Sequence, residues 1–303
     1  MMILTLKFYH NPKEKAHVTE ELYKGLTMTH LFIILFLSIS ISFAACNENT
    51  SAEVIKSVKL NGFICTKQIL VGCSYTECSG TLGAYPKPIL ITIPESVDSL
   101  RLHFHGHILG TPTSKPYEGN LSSMTKAFGI QKSLCETSEV TVFPQSAGAN
   151  TTYKSFFTSE NSYTKFFGNI QSTLGNNLKD SPLHLSGHSG GGKYVAGALN
   201  AGIKTAKVSI FDGIYGSTTK DSLKVWYDKG NGKLIIGAVK DGTPDNYATQ
   251  LRNEVGAKFT STKSTIKGTI YDVRKSDRFT HYTRAYSDTA HFNTVTEIWP
   301  SGN

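Results

Sequence analysis

The most regular feature of the chain is an alternation of short apolar runs with segments of helical period, beginning near residue 100. Each apolar run is short and bounded by turn residues, which favours strands over helices. Where strands alternate with helical segments, parallel strands joined by crossover helices are expected. The predicted strands are Leu100–Gly106, Val140–Phe143, Leu183–Gly187, Val208–Phe211, Leu234–Val239 and Thr269–Val273.

Three segments between these runs are predicted to be amphipathic helices. Residues 161–174 place apolar side chains at helical spacing behind an Asn161 cap, and Asp245 similarly caps a segment that extends to Val255. A third helix follows residue 192 and has Tyr194, Val195, Ala198 and Leu199 on one side. Residues 55–98 are rich in Val, Ile, Thr and Gly, which predicts short antiparallel strands. The predicted fold class is therefore α/β.

Residues 31–45 read LFIILFLSISISFAA and follow the basic residues Lys24 and His30. This stretch is short for a bilayer span and ends in small residues, which is typical of a signal-peptide core and its cleavage site. A buried core helix is the alternative, but no amphipathic period is visible. We therefore expect residues 1–45 to be a signal peptide, with Met28 as an alternative start, and residues 46–303 to form one domain.

The cysteines also point to export. Cys46 directly follows Phe43-Ala44-Ala45, which is close to a bacterial lipobox, so a lipid on Cys46 is the expected membrane attachment if the protein is anchored. The four others allow two disulfides with three possible connectivities. Zinc is the alternative, but the C-x₂-C pairs of zinc sites are missing. Disulfides indicate an oxidising compartment, secreted or cell-envelope. The four cysteines are Cys65, Cys73, Cys78 and Cys135.

The formal net charge of +8 is spread over scattered lysines, and residues 1–45 contribute only one of these charges. A basic surface can favour anionic partners. No nucleic-acid-binding module accompanies it, so nucleic acid is not expected as a partner. Hydrophobic residues make up 39% and charged residues 18%, which is the composition of a folded protein rather than of a disordered chain.

The strongest local motif is Gly187-His188-Ser189-Gly190-Gly191, which fits G-x-S-x-G between a predicted strand and a predicted helix. A serine raised on such a sharp turn has a strained backbone, and the flanking glycines leave room for the neighbouring elements. The N–H of Gly190 lies near a helix N-terminus, where an oxyanion is stabilised. A phosphate loop is the competing interpretation, but the G-x-x-x-x-G-K-[ST] order is missing. Ser189 is therefore the predicted nucleophile.

The predicted general base is His291, because the histidine of this arrangement follows the last strand. His281 is the rival and lies nearer to that strand, as a candidate for an exposed loop residue. Two acids compete to orient the base. Asp241 has the usual position after the penultimate strand but reads as a surface turn, whereas Asp212 stands in an apolar setting where a carboxylate needs a partner. We favour Asp212, with Asp241 as the second candidate.

The predicted strand Leu100–Gly106 ends in His105-Gly106-His107, and the backbone of Gly106 or His107 is the candidate second oxyanion donor. His103, His105 and His107 alternate along this strand and would share one face, which also suggests a metal site. The Asp and the further His that an H-x-H-x-D-H site requires are missing, so no metal is predicted.

The G-x-S-x-G segment, the strand ending His105-Gly106 and the late His291 resemble the α/β-hydrolase superfamily over about residues 98–300. The segment 142–146 also resembles the secreted polyester depolymerase and feruloyl-esterase group. The resemblance implies a doubly wound, mostly parallel sheet with the site at the carboxyl ends of its strands, and esterase, lipase or peptidase chemistry without a cofactor.

The sequence thus predicts an exported serine hydrolase that cleaves an ester or amide bond through an acyl-enzyme. Only about twenty residues separate Asp212 from the next strand, which favours an open cleft and a small soluble or polymeric ester. Tyr215 and Trp226 are candidates to line it. The alternatives are a non-catalytic surface-binding lipoprotein with the same fold and a metallohydrolase built on the histidine cluster.

Overall fold

The computed structural model describes residues 60, 62–106, 125, 129–146, 153, 156–175, 178, 181–287 and 289–299. The predicted signal peptide, Met28, Cys46 and His107 lie outside the described residues. Within the described ranges, no helix combines the length and apolar composition that a bilayer crossing needs.

The described residues form one eleven-stranded mixed sheet with helices packed on it. Its strands are β1 (Phe63–Leu70), β2 (Cys73–Gly80), β3 (Ile89–Pro94), β4 (Ser99–Phe104), β5 (Glu139–Pro144), β6 (Leu183–His188), β7 (Lys207–Phe211), β8 (Lys233–Val239), β9 (Thr260–Ile266), β10 (Thr269–Lys275) and β11 (Phe279–Arg284). The helices are α1 (Gln131–Glu136), α2 (Glu160–Leu174), α3 (Gly192–Asn200), α4 (Ser217–Asp228), α5 (Thr243–Glu254) and α6 (Ala290–Ile298).

The strand order is β1-β2-β3-β5-β4-β6-β7-β8-β11-β10-β9. The six central strands from β5 to β11 are parallel, and antiparallel strands flank them at both edges. After β4 the chain adds β5 on one side, then passes to the other side and adds β6, β7 and β8. The order therefore reverses at β4 and β6, and in open α/β sheets such a reversal opens a crevice at the carboxyl ends of the strands.

Neighbouring residues of a strand point to opposite faces of the sheet. Here both faces are apolar and are covered by helices. Ile210 and Ile236 belong to the larger core cluster, whereas Phe211 and Ile235, their neighbours along the chain, belong to the smaller one. The larger cluster includes buried residues of α2, α3, α4 and α5, and the smaller one includes those of α1 and α6. We refer to these as the first and second faces of the sheet.

Five of the six predicted strands match parallel strands of the sheet, but the sixth does not. The predicted run Thr269–Val273 is part of β10, which is antiparallel to its neighbours β9 and β11. The last parallel strand is β11, which pairs with β8. The prediction failed there because β11 alternates buried Phe279 and His281 with partly exposed residues, so it contains no continuous apolar run.

The two predicted helix caps are also wrong. The N-cap residue of α2 is Ser159 rather than Asn161. Ser159 and Ser162 form a capping box, in which the Ser159 N–H donates to the Ser162 hydroxyl at 3.3 Å. Helix α5 begins at Thr243 behind Gly242, with Pro244 in its first turn. Asp245 therefore lies inside the helix, where its Oδ2 accepts the backbone N–H of Asp241 at 3.1 Å.

The four described cysteines form two disulfides, which selects one of the three connectivities. These four sulfurs are therefore not zinc ligands. Cys65 pairs with Cys78 across the β1–β2 hairpin, where the two residues stand opposite each other. Cys73 pairs with Cys135 and joins the start of β2 to α1 on the second face.

Removing the disulfide between Cys73 and Cys135 is expected to cost more stability than removing the hairpin disulfide. The two bridges close separations of 62 and 13 residues, and the loss of unfolded-state entropy grows with loop length. The double substitution Cys73→Ser with Cys135→Ser should lower the free energy of unfolding by about 4 kcal/mol, and the corresponding Cys65 and Cys78 variant by about 3 kcal/mol. Urea unfolding of both variants checks this, and the reverse order would contradict it.

Candidate active site

Ser189 stands at the turn between β6 and α3, with a backbone φ of 51°. A non-glycine residue in this left-handed region is strained, and such strain persists only where the surrounding structure enforces it. The short 3₁₀ turn Ser189–Gly191 then leads directly into α3. The geometry is the strand–turn–helix context that a nucleophilic serine of the G-x-S-x-G type requires.

The glycines on either side of Ser189 are sterically required. A Cβ on Gly191 would lie 2.0 Å from the carbonyl oxygen of Phe104 in β4, and one on Gly187 would lie 2.9 Å from the backbone of Gly191. Both distances are shorter than real Cβ contacts allow. The turn can therefore approach β4 this closely only with glycine at these two positions.

The strand register brings Asp212 beside Ser189. His188 at the end of β6 pairs with Phe211 at the end of β7, so the residues that follow each of them emerge side by side. Asp212 has a backbone φ of 46°, and its Oδ1 accepts the backbone N–H of Val239 at 3.1 Å. Its Oδ2 bonds Nδ1 of His291 at 2.5 Å. The structure thus joins the predicted acid and the predicted base across 79 residues of sequence.

His291 lies in the first turn of α6, and the far end of that helix is firmly anchored. Glu297 of α6 pairs with Arg284 of β11 at 2.9 Å and also accepts a bond from the Tyr271 hydroxyl. Trp299 follows the helix and is fully buried. The central carbon of the Arg101 guanidinium lies 4.0 Å from the centroid of its ring. These contacts fix α6 on the second face, so the position of His291 depends on residues far from it in sequence.

His291 lies close to the turn that contains Ser189. Its ring centroid is 4.5 Å from that of His188, the residue immediately before Ser189. The hydrogen bonds of these two described residues do not include one between the Ser189 hydroxyl and the His291 ring, whose Nδ1 bonds Asp212.

The two rival candidates occupy other positions. Asp241 is exposed in the turn after β8, with a backbone φ of 62°, and its carboxylate does not bond His291. His281 is fully buried in β11 rather than exposed in a loop, and its Nε2 lies 3.2 Å from the Asp245 carboxylate. The expectation of an exposed loop was wrong because His281 alternates with partly exposed residues in a strand. The partners of its ring nitrogens are the Asp245 carboxylate, the Arg252 guanidinium and the Thr283 hydroxyl.

The oxyanion candidates surround the Ser189 side chain on two sides. Gly190 follows it in the 3₁₀ turn that leads into α3. Gly106 follows β4, and a Cβ on it would lie 2.4 Å from the Cβ of Ser189, so only a glycine permits this approach.

The Tyr215 hydroxyl also interacts with the Ser189 side chain. Burial and the Asp212 charge raise the pKa of Tyr215, and the hydrogen bond to Ser189 lowers it by a smaller amount. Tyr215 is about half exposed, so it faces the open side of the turn.

Trp226, the other aromatic residue predicted to line the cleft, does not do so. It is buried in the core on α4 and borders a surface groove of about 1200 Å³ that is lined by residues of α2, of α4 and of the end of α3. Helix α4 fills most of the segment between Asp212 and β8, and it packs its Leu223 and Tyr227 into the same core.

His103 of β4 and His105, which follows the strand, both form hydrogen bonds within the fold. His103 bonds the Ser186 hydroxyl at 2.9 Å, and His105 bonds the Gly106 carbonyl at 2.8 Å and the Ser146 N–H at 3.1 Å. Burial holds the pKa of His105 at about 4, against a weaker opposing effect of the Gly106 carbonyl, so its ring stays neutral. Among the residues that the structure describes, no three potential ligands converge on a metal site.

Comparison with known proteins gives only distant similarities. No protein-family model and no curated protein matches the chain. A solved cold-adapted esterase from an Arctic intertidal metagenomic library is similar with a TM-score of 0.43 and 9% identity, covering 74% of this chain and 89% of that one. The dienelactone hydrolase from Anabaena variabilis gives 0.42 and 10%, covering 75% and 88%. A hormone-sensitive lipase from a metagenome library gives 0.39 and 12%, covering 77% and 76%.

Proposed function

We propose that this chain is a serine hydrolase of the α/β-hydrolase superfamily that cleaves carboxylic esters. The observation that carries the proposal is the Asp212–His291 hydrogen bond beside Ser189, which stands on a strained turn between a strand and a helix. An Asp–His pair fixes the tautomer of the imidazole and leaves its other nitrogen free to accept a serine proton. The reversal of strand order at β4 and β6, with helices on both faces, supports a doubly wound arrangement.

The proposed reaction is acyl transfer to water in two halves. Nε2 of His291 takes the Ser189 proton as the serine oxygen attacks the ester carbonyl, and a tetrahedral oxyanion forms. Collapse of the tetrahedral species breaks the bond to the alcohol oxygen, which receives the proton from His291. Water then gives a proton to His291 and attacks the acyl-enzyme carbonyl. The bond to the Ser189 oxygen breaks, His291 returns the proton to that oxygen, and the carboxylic acid is released. The carboxylate of Asp212 stabilises the imidazolium in both halves.

The oxyanion requires donors placed where its charge develops. In this proposal the backbone N–H of Gly190 is one donor, and the backbone at Gly106 or His107 supplies the second. The close approach of Gly106 to the Ser189 side chain supports this assignment. All groups in the reaction are protein side chains, backbone groups and water, so the mechanism needs no cofactor.

Export of the mature protein to the cell envelope or the medium is part of the same proposal. The two disulfides support it, because such bonds form and persist in oxidising compartments. A lipid on Cys46 would anchor the protein, and release would follow if that cysteine is unmodified. Fractionation of cells that produce the full chain, followed by mass spectrometry of the mature N-terminus, checks this proposal.

Labelling with an alkyl fluorophosphonate is the direct test of the serine mechanism. These probes phosphonylate activated serines, so the expected result is one adduct per chain, found by peptide mapping on the segment that contains Ser189. Heat-denatured protein is the control and should not react, because the activation depends on the folded site. Labelling of another serine, or equal labelling of the denatured protein, would overturn the proposal.

A further inference from the structure

His188 occupies the variable position of the G-x-S-x-G motif and has no part in the mechanism described above. Its side chain is fully buried. Nε2 of His188 lies 3.0 Å from the backbone carbonyl oxygen of His291, and because a carbonyl only accepts, Nε2 donates. This bond spans 103 residues of sequence and connects the residue next to the nucleophile with the base itself.

We propose that His188 is a positioning residue, which holds His291 at the correct separation from Ser189 through this hydrogen bond and through the packing of the two rings. The inference rests on the proposed function, since it assigns His188 a role in a reaction that Ser189 and His291 perform.

The location of His291 explains why such a bond is needed. It lies in the first turn of α6, whereas the ion pair and the Trp299 contact described above anchor the other end of the helix. Only a few contacts hold the start of a helix, and it frays more readily than the middle. Besides His188, the Thr294 hydroxyl donates to the same His291 carbonyl at 2.8 Å, but Thr294 belongs to α6 and moves with it. The bond from His188 instead ties α6 to β6.

The two rings also pack together, and their charges are compatible only if one stays neutral. The ring centroids are 4.5 Å apart and the ring planes are inclined at 40°. Burial, reinforced by the neighbouring His291 charge, holds the pKa of His188 well below its usual value. When His291 becomes an imidazolium during the reaction, His188 therefore remains an uncharged neighbour that does not repel it.

A phenylalanine at position 188 would fill a similar volume without the desolvation cost of a buried imidazole. What it lacks is the N–H that faces the His291 carbonyl. Two substitutions therefore separate packing from hydrogen bonding. His188→Phe keeps the ring and removes the donor, and His188→Gln keeps an N–H at a similar reach and removes the ring.

His184→Phe is the matched control. His184 lies on the same strand and the same face of the sheet as His188 and is also buried. Its hydrogen bonds go to Glu139 at 2.9 Å and to Ser209 at 2.8 Å, at the opposite end of β6 from Ser189. Its loss should lower the melting temperature while leaving kcat of the folded fraction unchanged.

The experiment measures kcat and KM on a short-chain aryl ester, together with the proton resonance of the hydrogen bond between Asp212 and His291. For His188→Phe we expect kcat to fall about tenfold, the effect of about 1.4 kcal/mol in the barrier. KM should stay within about twofold of the wild type, because the His188 side chain is fully buried. The bridging proton should shift or broaden. His188→Gln should recover kcat to within about threefold of the wild type, since its N–H restores one neutral hydrogen bond.

A His188→Phe variant with wild-type kcat and an unmoved bridging proton would overturn the inference, and so would a Gln variant no better than Phe. If the variants do not fold, nitrogen NMR of ¹⁵N-histidine-labelled wild type decides: His188 must be neutral with the proton on Nε2, and a charged ring or the Nδ1–H tautomer refutes the inference. Failure of Ser189 to react with a fluorophosphonate would refute the proposed function instead, whatever the His188 variants show.

Discussion

Ser189→Ala is expected to lower kcat for a short-chain ester by about a millionfold. The substitution removes only the hydroxyl oxygen, so the contact of the Cβ with Gly106 is kept and the backbone remains in its left-handed conformation. Without the nucleophile no acyl-enzyme forms, and only the weak catalysis by binding and the oxyanion donors remains. Steady-state hydrolysis of an aryl acetate, measured with enough enzyme to detect residual turnover, checks this prediction.

The control for this variant is Ser172→Ala, which removes an exposed hydroxyl that bonds only the Gly168 carbonyl within α2. It should hydrolyse the ester at the wild-type rate. Both variants should melt within a few degrees of the wild type, because surface and small side-chain changes alter the stability little. A Ser189→Ala protein that keeps more than a few per cent of wild-type turnover would show that another group is the nucleophile.

Asp212→Asn is expected to lower kcat by about ten-thousandfold. The amide oxygen of asparagine can still accept the Val239 N–H, so the NH₂ group is turned toward His291. It then donates to Nδ1 of His291, which forces the ring proton onto Nε2. In that tautomer Nε2 cannot accept the Ser189 proton, although the fold and KM should change little.

Asp241→Asn is a closely matched control, because it makes the same chemical change at the competing acid. Like Asp212, Asp241 has a left-handed backbone, with φ values of 62° and 46° for the two residues, and asparagine tolerates that conformation as well as aspartate does. Asp241 is exposed and does not bond His291, so kcat should remain within about twofold of the wild type. If Asp241→Asn is the more damaging of the two substitutions, the acid has been assigned to the wrong strand end.

Much of this architecture follows from local sequence. Five parallel strands are visible as apolar runs because a strand buried on both faces must be apolar throughout. Ser189 is visible because a strained turn pressed against β4 requires glycine at fixed positions, and this requirement leaves a recognisable pattern. The sequence left three possible connectivities for the two disulfides, because the spacing of cysteines along the chain does not specify which sulfurs meet.

Other features depend on tertiary contacts. The strand β11 and the burial of His281 escaped prediction because a strand that alternates buried and partly exposed residues reads like a polar loop. The choice between Asp212 and Asp241 depends on the register between β6 and β7, which puts Ser189 and Asp212 side by side. The contact between His188 and His291 depends on where α6 packs, and no local pattern near either histidine records it.

The sequence by itself determined five of the parallel strands, the helices α2, α3 and α5, the strained serine turn and a late histidine, because each is encoded within a few neighbouring residues. Only the tertiary structure decided which acid meets that histidine, which cysteines pair, and which ring packs against the histidine. These decisions join residues 13 to 103 positions apart, and such pairings are set by sheet register and helix packing rather than by local propensity.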